Sequence, residues 1–283
     1  MEILTHRQGE PEWEEWRRMY IGASDAPVIM EVSPYKTPYQ LFLEKKGKSS
    51  PKVNRSMIYG REKEDEIRRL YEEATDTRVY PRCAVHSEIH WMIASFDGIT
   101  LAKDWIVELK AANAEDHKTA MNGAVPEKYW PQVQHQLAVS DLQAMHYVSY
   151  HQGDFVIVDV ARDEEYIQRL IKAEQDFYDR MLTDETPECT EKDYEIRSDD
   201  ETLELSGEFE RLDVLIKGIE AQRKAVAELL KAKADGQPYK CGNVKVSIVR
   251  GASRIDTESL GKVVNLDDYR IPGKEILKIE RMG

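Results

Sequence analysis

An apolar run that carries two charged residues constrains this chain more than any other stretch. The run, W-I-V-E-L-K, is built from the β-branched, aromatic and aliphatic residues of a core strand, yet it contains Glu108 and Lys110. Because side chains alternate along a strand, these two would project from one face, and Val107 and Leu109 from the other. A carboxylate and an amine buried side by side are costly unless they perform a task. The run therefore predicts a functional site on a strand.

A third charged residue lies a short distance upstream of this run. Asp97 precedes Gly98, a residue typical of turns, so a hairpin would return Asp97 beside Glu108. Two carboxylates at one point form a hard oxygen site suited to Mg²⁺ or Mn²⁺. Lys110 could then hold or deprotonate a water, or neutralise charge on a phosphate. A surface hairpin with a salt bridge would give the same loose pattern, so the interpretation depends on the flanking elements.

Composition and charge exclude several classes of protein. Of the 283 residues, 41% are hydrophobic, which is ample for a core, but no apolar run reaches membrane-spanning length. The three cysteines are widely spaced and indicate neither a disulfide framework nor a zinc site. The start of the chain lacks the layout of a secretory signal, so we expect a cytosolic protein without a membrane partner. The net charge is −13, yet residues 17–69 carry 12 basic against 7 acidic side chains, and such a basic face can follow a phosphate backbone.

A pair of arginines precedes a predicted helix start. Ser24 or Asp25 fits the N-cap of this helix, with Pro27 in its first turn, and Arg17 and Arg18 lie just upstream. A helix N-terminus, a serine hydroxyl and an arginine together would make a phosphate seat. The alternative is an ordinary cap with a surface arginine.

A longer predicted helix places one carboxylate on its apolar side. In the segment M-I-Y-G-R-E-K-E-D-E-I-R-R-L-Y, helical spacing puts Gly60, Glu64, Ile67 and Tyr71 on one face. Glu64 would then support the metal site. It could equally be a boundary residue whose carboxylate reaches solvent.

The predicted helix over residues 126–140 adds amide groups. Tyr129, Gln132 and Gln136 recur at helical spacing on one side. Gln132 could bind a nucleophilic water or a phosphate oxygen, whereas Gln136 is expected to be structural. His135 has no partner at metal-ligand spacing, and we expect it on the helix surface.

The order of the predicted elements indicates an α/β fold. Strands are predicted at residues 78–85, 90–97, 104–110, 144–151 and 154–160. With the helices between and around them, they give a mixed β-sheet flanked by helices over residues 1–187. Residues 188–202 are acidic and rich in turn formers, which predicts a linker.

Residues 203–283 are predicted to form a C-terminal extension, with a coiled-coil-like helix followed by a β-strand. Its apolar residues follow a 4-3 spacing at Leu205, Phe209, Leu212, Ile216, Ile219, Val226 and Leu230, interrupted by Arg223. The helix should end at Asp235-Gly236, followed by one alternating strand over 240–250 and a loosely structured tail over 254–269. Such a seam indicates oligomerisation, a partner helix, or packing back on the core.

Five motifs, in this order, resemble the family of phage lambda exonuclease and the YqaJ-type viral recombinases, within the PD-(D/E)xK nuclease superfamily. They are the run from Trp16-Arg17 to Ser24, G-R-E-K-E, S-F-D-G, V-E-L-K and Y-W-P-Q-V-Q. The resemblance covers residues 12–182 and implies a restriction-endonuclease-like core. One departure is Phe96, where the family often has a proline that shapes a turn.

The resemblance also implies roles for individual residues. Asp97, Glu108 and the backbone carbonyl of Leu109 would ligate Mg²⁺, for which Mn²⁺ could substitute. Lys110 would position or activate the attacking water. Glu64 and Gln132 would support this site, while Arg17 and Ser24 would hold the 5′-phosphate of DNA, with Arg18 as the rival of Arg17.

The function implied by the resemblance is exonucleolytic. The family degrades linear duplex DNA from 5′ ends and leaves a 3′ single strand for an annealing protein, and lambda exonuclease is a trimeric ring. We therefore expect a phage or prophage enzyme of the bacterial cytoplasm, a homo-oligomer that acts on double-stranded DNA ends. Two alternatives stay open: an endonuclease of the same superfamily acting on branched or circular DNA, and a non-enzymatic recombination scaffold that works through the heptad helix.

Overall fold

The fold is described from a computed structural model over residues 1–5, 11–50, 55–235 and 237–247. The chain divides into two compact units, residues 1–194 and 195–283, and the division falls inside the segment predicted as a linker. In chain order the first unit contains β1 (Glu2–Leu4), α1 (Pro11–Met19), β2 (Ile21–Gly22), α2 (Ala26–Ile29), α3 (Pro38–Lys45), α4 (Arg55–Thr75), β3 (Tyr80–Val85), β4 (Met92–Ile99), β5 (Ile106–Ala111), α5 (Ala114–Met121), α6 (Trp130–Ser140), β6 (Ala144–His151), β7 (Asp154–Ala161) and α7 (Glu164–Thr183).

One mixed sheet organises the first unit. Its strands follow the order β1-β3-β4-β5-β6-β7, and the short strand β2 pairs with β4. The β5–β6 and β2–β4 pairs are parallel, and the other pairs are antiparallel. A mixed sheet flanked by helices was the predicted fold class, and it is confirmed.

The five predicted strands are all present, with ends shifted by at most two residues. Three elements were not predicted. Strands β1 and β2 have three and two residues, too short to show periodicity. Helix α5 has only a weak apolar pattern, although the Asn113 side chain accepts from the backbone N–H of Asp116 as a normal N-cap.

The two faces of β5 pack against different helices. Val107 and Leu109 belong to a buried cluster with Ile67 of α4. Ile106 belongs to another cluster, which includes Val133 of α6. The predicted alternation along this strand is therefore correct, and it leaves Glu108 facing α6.

Gly98 lies within β4, so its predicted position in a turn was wrong. The chain reverses further on, over residues 100–105, where Lys103 adopts φ 60°. Gly98 is needed for a different reason. A Cβ atom at this position would lie 2.6 Å from Val107 Cγ1 and 2.6 Å from Val79 Cγ2, so only glycine lets these buried side chains approach the strand.

We expect Gly98→Ala to lower the free energy of unfolding by about 1–3 kcal/mol, because the added methyl group must displace two buried valines. Urea unfolding followed by circular dichroism measures the change. Gly60→Ala is the matched control, since its Cβ would meet nothing within 4 Å and alanine is the better helix former. A Gly98→Ala protein as stable as the control would contradict this account of the packing.

The second unit begins with a long helix. Helix α8 (Asp200–Ala232) starts inside the predicted linker, capped by Asp199, and ends three residues before the predicted Asp235. The single strand predicted over 240–250 was wrong: β8 (Tyr239–Cys241) and β9 (Val244–Val246) form an antiparallel hairpin, with Gly242 at φ +55° in the turn. The predicted tail over 254–269 lies outside the described residues. None of the helices in the described ranges has both the length and the apolar character needed to cross a membrane.

Candidate active site

Glu108 is the centre of the site, on the face of β5 that meets α6. Its side chain is only 2% exposed, and both of its oxygens have polar partners. The Lys110 ammonium pairs with Oε1, to which Gln132 Nε2 also donates a hydrogen bond. Gln136 Nε2 donates to Oε2 at 2.5 Å. Both oxygens of this buried carboxylate therefore have polar partners.

Asp97 lies next to Glu108 on the neighbouring strand. The antiparallel register that pairs Gly98 with Val107 brings the two carboxylates together, as the sequence predicted. Asp97 Oδ2 accepts a hydrogen bond of 2.9 Å from the backbone N–H of Leu109. Burial, reinforced by the charge of Glu108, raises the pKa of Asp97 well above its ordinary value.

Helix α4 adds a third carboxylate to this group. Burial raises the pKa of Glu64, and Glu108 adds to the effect while Arg68 opposes it. Arg68 holds the arrangement together: its Nη2 donates to Glu64 Oε1 at 2.5 Å, and its Nε donates to the backbone carbonyl of Asp97 at 3.0 Å. The sequence interpretation did not identify Arg68, although it lies one helical turn after Glu64.

Lys110 is held as a cation in this arrangement. Burial opposes the charged ammonium, but Glu108 and Asp97 outweigh burial and raise the pKa of Lys110 above its ordinary value. Its Nζ also lies 5.2 Å from the centroid of the Tyr129 ring. Lys110 is therefore suited to stabilising negative charge. A cation bound at the carboxylates would weaken their effect and make its proton easier to remove.

The positions of two residues on α6 differ from those expected. His135, predicted on the helix surface, is fully buried: its Nδ1 lies 2.7 Å from Glu174 Oε1 and its Nε2 lies 2.8 Å from the Ile93 carbonyl oxygen. Gln136, expected to be structural, contacts the Glu108 carboxylate directly. The reason is that residues Pro131 to Ser140 are all buried, so α6 has no solvent face on which His135 could lie.

Arg17 and Ser24 meet as predicted. The helix predicted to begin beside them is short, and no side chain caps its N-terminus. Arg17 Nη2 donates a hydrogen bond to Ser24 Oγ, and its guanidinium lies 5.1 Å from the Trp13 ring centroid. Helix α2 has only four residues. Asp25 occupies its N-cap position, but the carboxylate accepts from the Gly22 N–H at 2.9 Å instead of capping the helix.

A buried ion pair fixes this second group. Lys45 Nζ bonds Asp25 Oδ2 and also donates to the backbone carbonyls of Arg17 and Tyr20, at 2.9 and 2.7 Å. Although burial favours the neutral acid, Lys45 and Arg17 outweigh it and lower the pKa of Asp25. Arg18, the rival of Arg17, is exposed and is not part of this ion pair.

Ser95 connects the arginine group with the carboxylates. Its hydroxyl accepts a hydrogen bond of 3.1 Å from Trp13 Nε1, and its backbone carbonyl accepts one of 3.5 Å from Gln136 Nε2. Ser95 lies two residues before Asp97 on β4, so this strand carries Asp97 and also contacts Trp13 beside Arg17. The sequence interpretation did not identify Ser95 as a site residue. Its position two residues before Asp97, on the same face of the predicted strand, was the signal that could have indicated it.

The donor atoms of the site fit a divalent cation. Within the described ranges, no set of three or more His, Cys, Asp or Glu residues is already arranged as a metal centre. Asp97 and Glu108 nevertheless offer two hard oxygen ligands, and the Leu109 backbone carbonyl is an oxygen of the same class. The raised pKa of Asp97 reflects burial first and then repulsion from Glu108, and a cation would relieve that repulsion.

Residues 12–143 match the family model described as the YqaJ-like viral recombinase domain. This part of the chain is similar to the YqaJ-like viral recombinase domains. The family resemblance inferred from the motifs is thereby confirmed. The YqaJ-like domain contains every predicted site residue, namely Arg17, Ser24, Glu64, Asp97, Glu108, Leu109, Lys110 and Gln132.

Two proteins illustrate the similarity. The protein YqaJ of Bacillus subtilis (strain 168) is 30% identical over 197 residues, which cover 66% of this chain and 61% of YqaJ, so the match spans about three fifths of that relative. The alkaline exonuclease LHK-Exo from Laribacter hongkongensis superposes with a TM-score of 0.54 at 22% identity, covering 62% of this chain and 94% of LHK-Exo. LHK-Exo in complex with dAMP gives the same values. The part of the chain that superposes therefore shares the fold of LHK-Exo.

Proposed function

We propose that this protein is a metal-dependent deoxyribonuclease that degrades linear double-stranded DNA from its 5′ ends and leaves 3′ single strands. The observation that carries the proposal is the meeting of Asp97, Glu108 and Lys110 on adjoining strands, with Gln132 on the buried Glu108 carboxylate. The YqaJ-like domain and the alkaline exonuclease fold support the same reaction class.

Each residue of the site has a part in phosphodiester hydrolysis. Asp97, Glu108 and the Leu109 carbonyl would hold Mg²⁺, or Mn²⁺ in its place, and the metal would supply Lewis acidity. Lys110 holds that water and neutralises charge that develops on the phosphate. Gln132 orients Glu108.

Glu64 acts from outside the metal ligands. It is tied by Arg68 to the strand that carries Asp97, so it keeps Asp97 in place while adding negative charge for the cation.

Arg17 and Ser24 form the seat for the terminal 5′-phosphate. The guanidinium is fixed between Ser24 and Asp25 and lies over Trp13, so little conformational freedom is lost when it binds an anion. Trp13 also donates a hydrogen bond to Ser95, two residues before Asp97 on β4, and so links the seat to the strand of the carboxylates. A seat for the terminal phosphate favours cleavage at an end over cleavage within a strand.

A cleft near Lys110 suits the bases of the DNA. It has a volume of about 340 Å³ and is lined by three tyrosines, Tyr35, Tyr59 and Tyr129, together with Arg55. Bases stack on aromatic rings without regard to sequence, and a guanidinium can contact the phosphates. An enzyme that digests any linear duplex needs this kind of contact.

The biological setting follows from the reaction. A 3′ single strand is the substrate of a single-strand annealing protein, which would be the partner in phage-type recombination. The enzyme would act as a homo-oligomer in the bacterial cytoplasm, encoded by a phage or prophage.

The decisive experiment uses linear duplex DNA labelled at either end and a covalently closed circle, each incubated with Mg²⁺ or with EDTA. We expect Mg²⁺-dependent release of nucleotides from phosphorylated 5′ ends, with the circle intact. Cleavage of the circle would replace the proposal with an endonuclease. No cleavage of either DNA would favour a recombination scaffold.

We expect Arg17→Ala to reduce the preference for 5′-phosphorylated over 5′-hydroxyl ends by about tenfold or more, because the substitution removes one charge-assisted hydrogen bond to the phosphate. Competition between the two labelled ends measures this preference directly. Arg18→Ala is the matched control, because Arg18 is exposed on the same helix and should leave the preference unchanged. Equal digestion of both ends by wild type and Arg17→Ala would remove the phosphate seat from the proposal.

A further inference from the structure

Helix α8 carries an apolar seam that remains largely exposed among the described residues of its own unit. The seam consists of Leu205, Phe209, Leu212, Ile216, Ile219, Val226 and Leu230, with Arg223 among them. No residue of α8 is buried, and the six seam residues from Leu205 to Val226 are between 39% and 65% exposed. Apolar residues at this spacing on one long helix are the pattern of a coiled coil.

The charges of α8 are divided between its two halves. Residues 200–213 contain six acidic side chains and one basic side chain, whereas residues 214–232 contain four basic and two acidic ones. Two copies of α8 aligned in parallel would place acidic half against acidic half. Two antiparallel copies would place each acidic half against a basic half.

We propose that the seam of α8 pairs with the seam of a second copy of this chain, in antiparallel orientation. One register uses every seam position: Leu205 faces Leu230, Phe209 faces Val226, Leu212 faces Arg223 and Ile216 faces Ile219. Each pairing occurs twice, because a two-fold axis relates the helices, and such an isologous contact closes on itself.

Arg223 explains why this orientation is selected. In a parallel pair the two Arg223 side chains would face each other within the seam, which is unfavourable for like charges. In the antiparallel register Arg223 lies opposite Leu212 of the second copy and therefore beside its neighbour Asp213. The one polar seam residue thus acts as an orientation signal.

The mass of the full-length protein in solution tests the pairing, by light scattering after size exclusion. We expect wild type to contain an even number of 32.8-kDa chains and the double variant Leu212→Glu/Ile219→Glu to have half the wild-type mass. Val214→Glu is the matched control: it puts the same charge on an apolar residue of α8 outside the seam, and should leave the mass unchanged. Equal masses for all three proteins would overturn the pairing and would indicate that the seam packs within one chain or binds a different protein.

Disulfide cross-linking tests the orientation, after exposed Cys189 and Cys241 are replaced by serine. Antiparallel pairing predicts that a mixture of Leu205→Cys and Leu230→Cys chains cross-links, whereas neither variant alone does. Cross-linking of each variant with itself would overturn the antiparallel arrangement. The pairing does not depend on the nuclease chemistry, so Asp97→Asn should keep the wild-type mass even though it loses activity.

Discussion

Asp97→Asn should reduce the rate of DNA hydrolysis by at least about 10³-fold, because it removes a charged oxygen ligand and with it the metal that stabilises the reacting oxygens. Glu108→Gln should have an effect of the same size, and it also takes away the counter-charge of Lys110. Single-turnover digestion of a labelled linear duplex in Mg²⁺ measures both. Asp176→Asn is the control, since this carboxylate is exposed on α7 and should leave the rate unchanged.

Asp97→Asn should be more stable than wild type when divalent cations are removed. The pKa of Asp97 is raised in the folded protein by burial and by Glu108, so ionising this carboxyl at neutral pH costs folding free energy. That cost is absent below the pKa of the unfolded chain and develops as the pH rises through the folded pKa. In EDTA, we therefore expect Asp97→Asn to raise the free energy of unfolding at pH 8, with the gain shrinking toward pH 4.

A loss of activity together with a gain of stability would show that Asp97 serves the reaction and does not stabilise the fold. If Asp97→Asn instead lost activity and stability in parallel at pH 8 in EDTA, Asp97 would be a structural residue and the metal site would have to be sought elsewhere. Retention of the wild-type rate to within tenfold would have the same consequence. Metal titration followed by calorimetry adds an independent measure, since removal of one ligand should weaken Mg²⁺ binding.

The carboxylate cluster was predictable because it depends on local rules. The spacing of two between Glu108 and Lys110 and the short connection from Asp97 both act over fewer than fifteen residues. The phase of Gln132 on its helix could also be read from the sequence. What could not be read is the second hydrogen bond to Glu108, because Gln136 becomes a site residue only when α6 packs over β5.

His135 shows where sequence periodicity stops being informative. A helical pattern separates a solvent face from a core face, but α6 is buried all round, so an exposed position cannot be inferred from it. The prediction of one continuous strand over residues 240–250 was wrong for a different reason. Alternation continues on both sides of Gly242-Asn243 and conceals the turn, although Gly-Asn is typical of two-residue hairpin turns and Gly242 has a positive φ there.

Glu174→Ala should lower the free energy of unfolding by about 3–5 kcal/mol, because it breaks a fully buried pair. His135 and Glu174 are both fully buried, and His135 is also fixed by the carbonyl of Ile93 on β4. Removing the carboxylate leaves the imidazole without its partner on α7. Glu174→Gln is the matched control, because an amide can still hydrogen-bond Nδ1, and it should cost much less. Equal losses for the two variants would show that the charge, and not the hydrogen bond, stabilises the pair.

The pH dependence of stability follows from the proton that this pair retains. Burial disfavours the imidazolium, but Glu174 outweighs burial and raises the pKa of His135, while burial raises the pKa of Glu174. The folded protein therefore keeps a proton that the unfolded chain loses above a pH of about 6.5. Its stabilising contribution is complete below that pH and is lost as the pH rises through the folded pKa of His135. Urea unfolding between pH 6 and 9 should show wild-type stability falling more steeply than that of Glu174→Gln. Parallel curves would mean that the pair holds no extra proton in the folded protein.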